Sequence, residues 1–298
     1  MTVRPFENRD LPGLLELLKT QDERASQRSM TPEGRSVEEL ALELGELSPY
    51  SEMVPLVLEH DAHIAAYVAL CNYEGEVFLE GPLLHPDLPV DAGPLLERVI
   101  DEAKVRGYGY LEVFVDEENR RAQDALVRSG FEPFHTTYIY EFRRGTPLKP
   151  PRPSRFRFET DKDVDVGLYR ELYRDTSDNW ATRLAWFDED LLERFSDPQV
   201  SLTVVYDEDK PVGHLELEHL PDDGYAEIAY FGVLPAARGH KLGRELLLRA
   251  LQGALQDERV ELVLARAHDD ERSASFALEA VGFRLSHGVV AYTLELPS

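Results

Sequence analysis

Arg238, Lys241 and Arg244 stand close together in the stretch VLPAARGHKLGREL, residues 233 to 246, of a chain that is otherwise strongly acidic. The stretch follows a hydrophobic run, YAEIAYFGV, and precedes a leucine-rich amphipathic one, so it reads as the turn from a strand into a helix. A helix start exposes unpaired backbone N–H groups and the positive end of the helix dipole, which together make an anion site. Gly239 lets the backbone turn tightly, and Gly243 carries no side chain that would block a ligand from the first helical turn. With His240 and Leu242 between them, these residues imply an occupant that bears phosphate.

Composition limits what such a ligand and its partners are. The chain has 298 residues and a net charge of −25, from 32 basic and 57 acidic residues, divided almost evenly between its halves. No basic arm or face is evident, which argues against a nucleic-acid partner and for a cationic small molecule. The first residues, MTVRPFENRD, lack the apolar core of a secretory signal, and no apolar run reaches the length of a membrane span. A cytoplasmic protein, off the membrane, is expected. Cys71 is the single cysteine, placed in the strand-like AAYVALC and expected to be an inert core thiol. The histidines His214, His219, His240 and His268 show no metal-ligand spacing with nearby carboxylates, so no metal is expected.

The elements that carry the basic turn recur. RRGTPLKPPRPSR, residues 143 to 155, holds four prolines and no apolar periodicity, and divides the chain near its middle. Both halves open with a short β-like run and an acidic cap before an amphipathic helix, VRPFENRD and FRFETDKD. Both close with a helix, a glycine and a phenylalanine. One offset of 152 pairs Gly130 with Gly282, Phe131 with Phe283, Ala122 with Ala274, Leu126 with Leu278 and Glu7 with Glu159. A duplicated domain follows, with residues 1–143 as the first copy, 144–154 as linker and 155–298 as the second. The fold class expected is mixed α/β: in each copy a central, mostly antiparallel mixed sheet flanked by helices, with a hairpin turn at Asp207 to Lys210.

The order strand, VLPAARGHKLG, helix, strand, ERSASFALEAVGF, strand resembles the GCN5-related N-acetyltransferase (GNAT) family, which binds acetyl-CoA. That family carries Arg or Gln, two residues, Gly, one residue, Gly or Ala after Val-x-Pro. Val233, Pro235, Arg238 and Gly243 match, while Lys241 stands at the middle glycine and puts the local backbone angle in question. The resemblance implies acetyl-CoA as co-substrate, its pyrophosphate on the backbone from Arg238 to Gly243 and its thioester carbonyl near Phe231, Gly232 and Val233. It implies an N-acetyltransferase that moves acetyl to a small, cationic primary amine by direct attack. A non-catalytic acyl-CoA-binding or scaffold protein is the other reading. A two-domain arrangement like that of mycothiol synthases is also implied.

Two catalytic candidates follow from the resemblance. Glu227 lies six residues before Val233, where the histone-acetylating branch of the family carries its base; burial between Ile228 and Tyr230 is expected to raise its pKa. The family's usual tyrosine acid falls on Leu278, so Tyr292 or Tyr230 is left to protonate the thiolate. The acceptor segment is DTSDNWATRLAWFDEDLLERF, in which Trp180, Trp186 and Phe187 wall a pocket and Asp175, Asp178 and Asp188 meet the amine; helix packing explains the aromatics as well. In the first half the arginine position falls on Pro89, and the loop holds Asp87 and Asp91 without a cation, so a degenerate domain is expected there, against the alternative that both halves hold acetyl-CoA. Two fused domains fit a monomer or a homodimer.

Overall fold

The computed structural model describes residues 1–29, 53–73, 76–150, 154–161, 164–176, 186–269 and 272–297. Its residues form two compact units, one of Met1–Thr137 with His287–Ser298, the other of Tyr138–Ser286. The division therefore falls at 137/138 and again at 286/287, and not in the proline-rich stretch. Hydrophobic alternation marks residues 132–143 and 284–295 as strands but carries no information on which neighbour each one pairs with.

The first unit contains β1 (Thr2–Pro5), α1 (Leu11–Glu23), β2 (Met53–His60), β3 (His63–Tyr73), β4 (Glu76–Leu84), α2 (Gly93–Val105), β5 (Tyr110–Asp116), α3 (Arg120–Arg128) and the start of β6 (Glu132–Arg143). Its sheet runs β1-β2-β3-β4-β5-β12, where β12 is Arg284–Glu295. β12 pairs antiparallel with β5, from Val289↔Asp116 to Glu295↔Tyr110. The apolar faces of α2 and α3 pack on one side of the sheet, with Leu95, Val99 and Leu126 at its centre, and α1 covers the other through Leu14, Leu17 and Leu18. Cys71 is buried in that second cluster.

The second unit contains the end of β6, then β7 (Arg157–Asp161), α4 (Val166–Thr176), α5 (Asp188–Ser196), β8 (Val200–Asp207), β9 (Lys210–Leu220), β10 (Tyr225–Val233), α6 (Leu242–Ala254), β11 (Leu262–His268), α7 (Arg272–Val281) and the first residues of β12. Its strand order is β6-β11-β10-β9-β8-β7. The β8–β9 hairpin closes at Asp207↔Lys210, at the turn expected from the sequence. α6 and α7 bury Leu246, Leu247 and Leu278 on one face against Ala226, Ile228 and Val263. On the other face α4 and α5 set Tyr169, Tyr173, Leu191 and Phe195 against β8.

The repeat seen in the sequence is a structural repeat. At the end of α3, Gly130 has φ +93° and the N–H groups of Gly130 and Phe131 donate to Val127 and Leu126. At the end of α7, Gly282 has φ +111° and the same two bonds run from Gly282 and Phe283 to Glu279 and Leu278. Only glycine takes this left-handed cap at little steric cost, and each following phenylalanine is then turned into its core.

Candidate active site

β10 positions the site by leaving its neighbour. Its parallel pairing with β11 runs from Tyr225↔Leu262 to Ile228↔Ala265, whereas β10 itself continues to Val233. On its other side β10 stays paired with β9, with a bulge between Ile228 and Tyr230. The N–H of Leu234 donates to Val212 O at 2.8 Å, which fixes the alternation of that ladder. Leu234 and Gly232 therefore turn their backbone groups toward β9, while Phe231 and Val233 turn theirs toward the gap. A cavity of about 420 Å³ lies there.

The basic turn forms the floor of this cavity. A short 3-10 turn, Pro235–Ala237, leads to Arg238, whose Nε donates to Val233 O at 3.1 Å. Gly239 has φ +84°, and Lys241, at the N-cap of α6, adopts φ 63° and ψ 21°. Lys241 thus takes the left-handed conformation that glycine would take in its place, at a cost of roughly 1–2 kcal/mol. Phe231, Gly232, Val233, Arg238, Gly239, Lys241, Leu242, Gly243 and Arg244 all line the cavity. His240 is not among the lining residues: its Nδ1 lies 3.3 Å from Ala237 O and its ring meets Phe156 edge-on. At Gly243 an added Cβ would approach only Val233, at 3.9 Å, so the first turn of α6 stays open to a ligand.

The other walls were not legible as site residues. α7 contributes Ser273, Ala274, Ala277 and Ala280, with Phe276 at the rim, 69% exposed. Their spacing is a helical stripe of small side chains, the one signal in the sequence that marks a face left open. Thr176, the last residue of α4, lines the opposite end. It packs so closely on Gly232 that a methyl group there would collide with its Cβ and Oγ1.

Beneath Thr176 lies a buried polar chain on the α4–α5 face. Thr176 Oγ1 donates to Leu172 O at 2.6 Å and sits 3.3 Å from His214 Nδ1. His214 is fully buried, and burial lowers its pKa to about 4. Two residues along β9, Glu216 accepts from Tyr169 Oη at 3.1 Å and from Arg194 Nε at 2.9 Å. Arg194 also donates to Glu218 at 2.7 Å. Burial works against its charge, yet these carboxylates outweigh burial and hold its pKa above the ordinary arginine value.

The sequence-derived catalytic candidates fare differently from the loop. Glu227 is on β10 opposite Glu218, but its surroundings are not the apolar ones expected: Arg266 Nη2 holds its Oε1 at 2.7 Å, because strand alternation turns Ile228 to the other face. It does not line the cavity. Tyr292 is displaced altogether. It belongs to the first unit, paired with Val113 and buried in that core, with its hydroxyl donating to Gln123 Oε1 at 3.3 Å and its pKa raised by burial. Leu278 is core, as its chemistry requires. Tyr230 is half-buried, its ring edge-on to Tyr173 at 5.0 Å.

In the acceptor segment, Asp178 and Trp180 lie outside the described residues. Trp186 packs against the α4–α5 cluster, and its carbonyl accepts from Arg170. Phe187 is 75% exposed. Asp175 and Asp188 already carry arginine partners, Arg174 and Arg170.

The first unit has the equivalent splay but fills it with its own backbone. The β4–β5 pairing is confined to Phe78↔Glu112 and Leu79↔Val113. Beyond it, Ser29 O accepts from Gly81 N–H at 2.9 Å and Arg28 O from Asp116 N–H at 3.2 Å. Asn119 Nδ2 donates to Arg28 O and Ser29 Oγ, and Arg28 Nη1 pairs with the buried Asp116 at 3.1 Å.

Residues 166–283 match the model of the Acetyltransferase (GNAT) family. Among solved structures, a GCN5-related N-acetyltransferase from Sphaerobacter thermophilus is 18% identical with a TM-score of 0.70, covering 99% of this chain and 95% of that one. A tandem GNAT protein from the clavulanic acid biosynthesis pathway is 15% identical with a TM-score of 0.66, covering 100% and 99%. A GCN5-related N-acetyltransferase from Kribbella flavida gives 14% and 0.54, over 99% and 97%. At such identities the likeness establishes the fold along the whole chain. No curated protein sequence matches the chain. The splayed strand and the basic turn fall within the residues that match the Acetyltransferase (GNAT) family model, so the likeness to that family rests on this second unit.

Proposed function

We propose that the second unit acetylates a small cationic primary amine by direct attack on acetyl-CoA, and that the first unit holds no coenzyme. The observation that carries this reading is the convergence of the open edge of β10 with the start of α6 on one cavity. Acetyl-CoA supplies the activated acyl group when bound. The N–H groups from Arg238 to Gly243, with the charges of Arg238, Lys241 and Arg244, suit its pyrophosphate. The backbone of Phe231 and Val233 suits hydrogen bonding along the extended arm and at the thioester carbonyl.

Proton removal falls to Glu227, acting through water. An alkylammonium with pKa near 10 is almost wholly protonated at neutral pH, and only its lone pair attacks. From Glu227 to Phe231 the strand spans about 13 Å, so direct contact with an amine at the cavity is too long and a relay is required. With Tyr292 in the first unit's core and Leu278 apolar, the thiolate takes its proton from solvent or from Tyr230. For the acceptor, the chain's charge of −25 favours a cation.

The test is release of free thiol when the protein is incubated with acetyl-CoA and a panel of polyamines, amino acids and aminosugars. Thiol above the amine-free blank with a cationic amine supports the reading; release with none of them defeats it. A second expectation concerns stoichiometry. Arg28 and Ser29 occupy the backbone positions of the first unit's gap, and the loop there offers Asp87, Asp91 and Pro89 in place of cations. Calorimetry is expected to find one acetyl-CoA per chain, and two would refute the assignment of the first unit.

A further inference from the structure

The second unit holds another cavity, away from the coenzyme loop. Where α6 passes over β9 toward its C-terminal end, a hollow of about 460 Å³ opens between that helix and the outer strands β7 and β8. Its floor is set by strand register: Thr160 faces Thr203, and Thr203 faces Leu215. The two threonine hydroxyls lie 2.8 Å apart. Arg249 of α6 is the one ionisable side chain among the residues that line it, in a chain with 57 acidic residues.

Arg249 is arranged as a receptor would be. Its guanidinium carbon lies 4.2 Å from the centroid of Phe158, which fixes the plane of the group and leaves its edge to make hydrogen bonds. Its Nε is buried and has no hydrogen-bond partner among the described residues. A buried N–H without an acceptor destabilises the fold, so the guanidinium is held here at a cost. Gln252 and Gln256 add amide groups to the wall, and Leu215 and Phe158 supply apolar surface.

We propose that this cavity binds a small organic anion: a monocarboxylate with an aromatic or branched body, its carboxylate on the Arg249 guanidinium and its body against Leu215. The guanidinium edge matches a carboxylate in two parallel hydrogen bonds, and the absence of acidic side chains among the described residues of the wall spares the ligand the repulsion it meets elsewhere on the molecule. The volume of the hollow and its mixed apolar and hydroxyl lining suit a ligand of benzoate size.

The test is calorimetric titration of the full chain with benzoate and with benzamide, its uncharged isostere, both with CoA present at saturation so that the coenzyme loop is filled. Benzoate is expected to saturate one site per chain and benzamide to bind about tenfold more weakly or less, since neutral hydrogen bonds replace charge-assisted ones. Arg249→Gln is expected to weaken benzoate by about tenfold or more. Gly253→Leu adds a side chain where a Cβ meets nothing within 4 Å, at the wall of the hollow, and is expected to exclude benzoate while favouring the helix. Both variants are expected to keep their acetyl-CoA affinity, which reports that they fold. Water alone in the cavity, seen as no saturable benzoate binding, overturns the proposal, as does equal affinity for benzamide or undiminished benzoate binding in either variant.

Discussion

Glu227→Gln is expected to lower the acetylation rate about 100-fold at pH 7 while leaving acetyl-CoA affinity within about twofold. The substitution keeps the shape of the side chain and a hydrogen-bonding oxygen for Arg266, so the strand and the cavity some distance along it stay as they are. What it removes is a proton acceptor. The deficit therefore depends on pH in a way that a packing defect does not: as pH rises toward about 10 the acceptor amine deprotonates in solution, and the variant's rate approaches that of the unaltered protein. Steady-state rates from pH 6.5 to 10, beside calorimetric acetyl-CoA binding, decide the matter. A gap of constant size at every pH, or an equal loss of binding, rules Glu227 out as the base.

The buried imidazole of His214 gives the second large effect, on stability. Burial lowers its folded-state pKa to about 4, below the value near 6.5 of an unfolded chain. Below pH 6.5 the unfolded chain takes up a proton that the folded one refuses, so stability is lost as pH falls from 6.5 to about 4. Between pH 7 and pH 5 the loss from this residue is about 2 kcal/mol. Urea unfolding at the two pH values measures it, and His214→Gln, which cannot titrate, is expected to remove that difference. If the variant loses as much stability on acidification as the parent, the buried imidazole is not the cause.

What the sequence revealed, and what it hid, divides by range. Gly130 and Gly282 were legible because a left-handed helix cap is a local demand on one residue, and the shared offset carried it into both halves. The strand-to-helix turn was legible for the same reason: Arg238, Gly239 and Gly243 shape the backbone beside them. Lys241 defeated the local rule, since the tertiary structure holds a lysine in glycine's conformation. Pairings between distant segments were hidden. Nothing in SHGVVAYTLEL says that its partner is β5, and so Tyr292 was expected at the coenzyme and is found in another core. Glu227 was placed on the right strand, but its partner Arg266 comes from β11, and the sequence does not say which arginine will lie across a parallel pair. Arg28 and Ser29 reach Gly81 and Asp116 through contacts that no motif records.

The pairing of β5 with residues 289–295, far along the chain, bears on how the polypeptide is made. On the ribosome, the stretch up to Thr137 emerges first but is missing the strand beside β5 until the whole of the other unit has been synthesised. Until then the exposed edge of β5 is open to pairing with foreign strands, so the nascent protein has reason to depend on chaperones. Truncation at the proline-rich stretch would leave that edge permanently bare, and an expression vector ending there is a recipe for inclusion bodies.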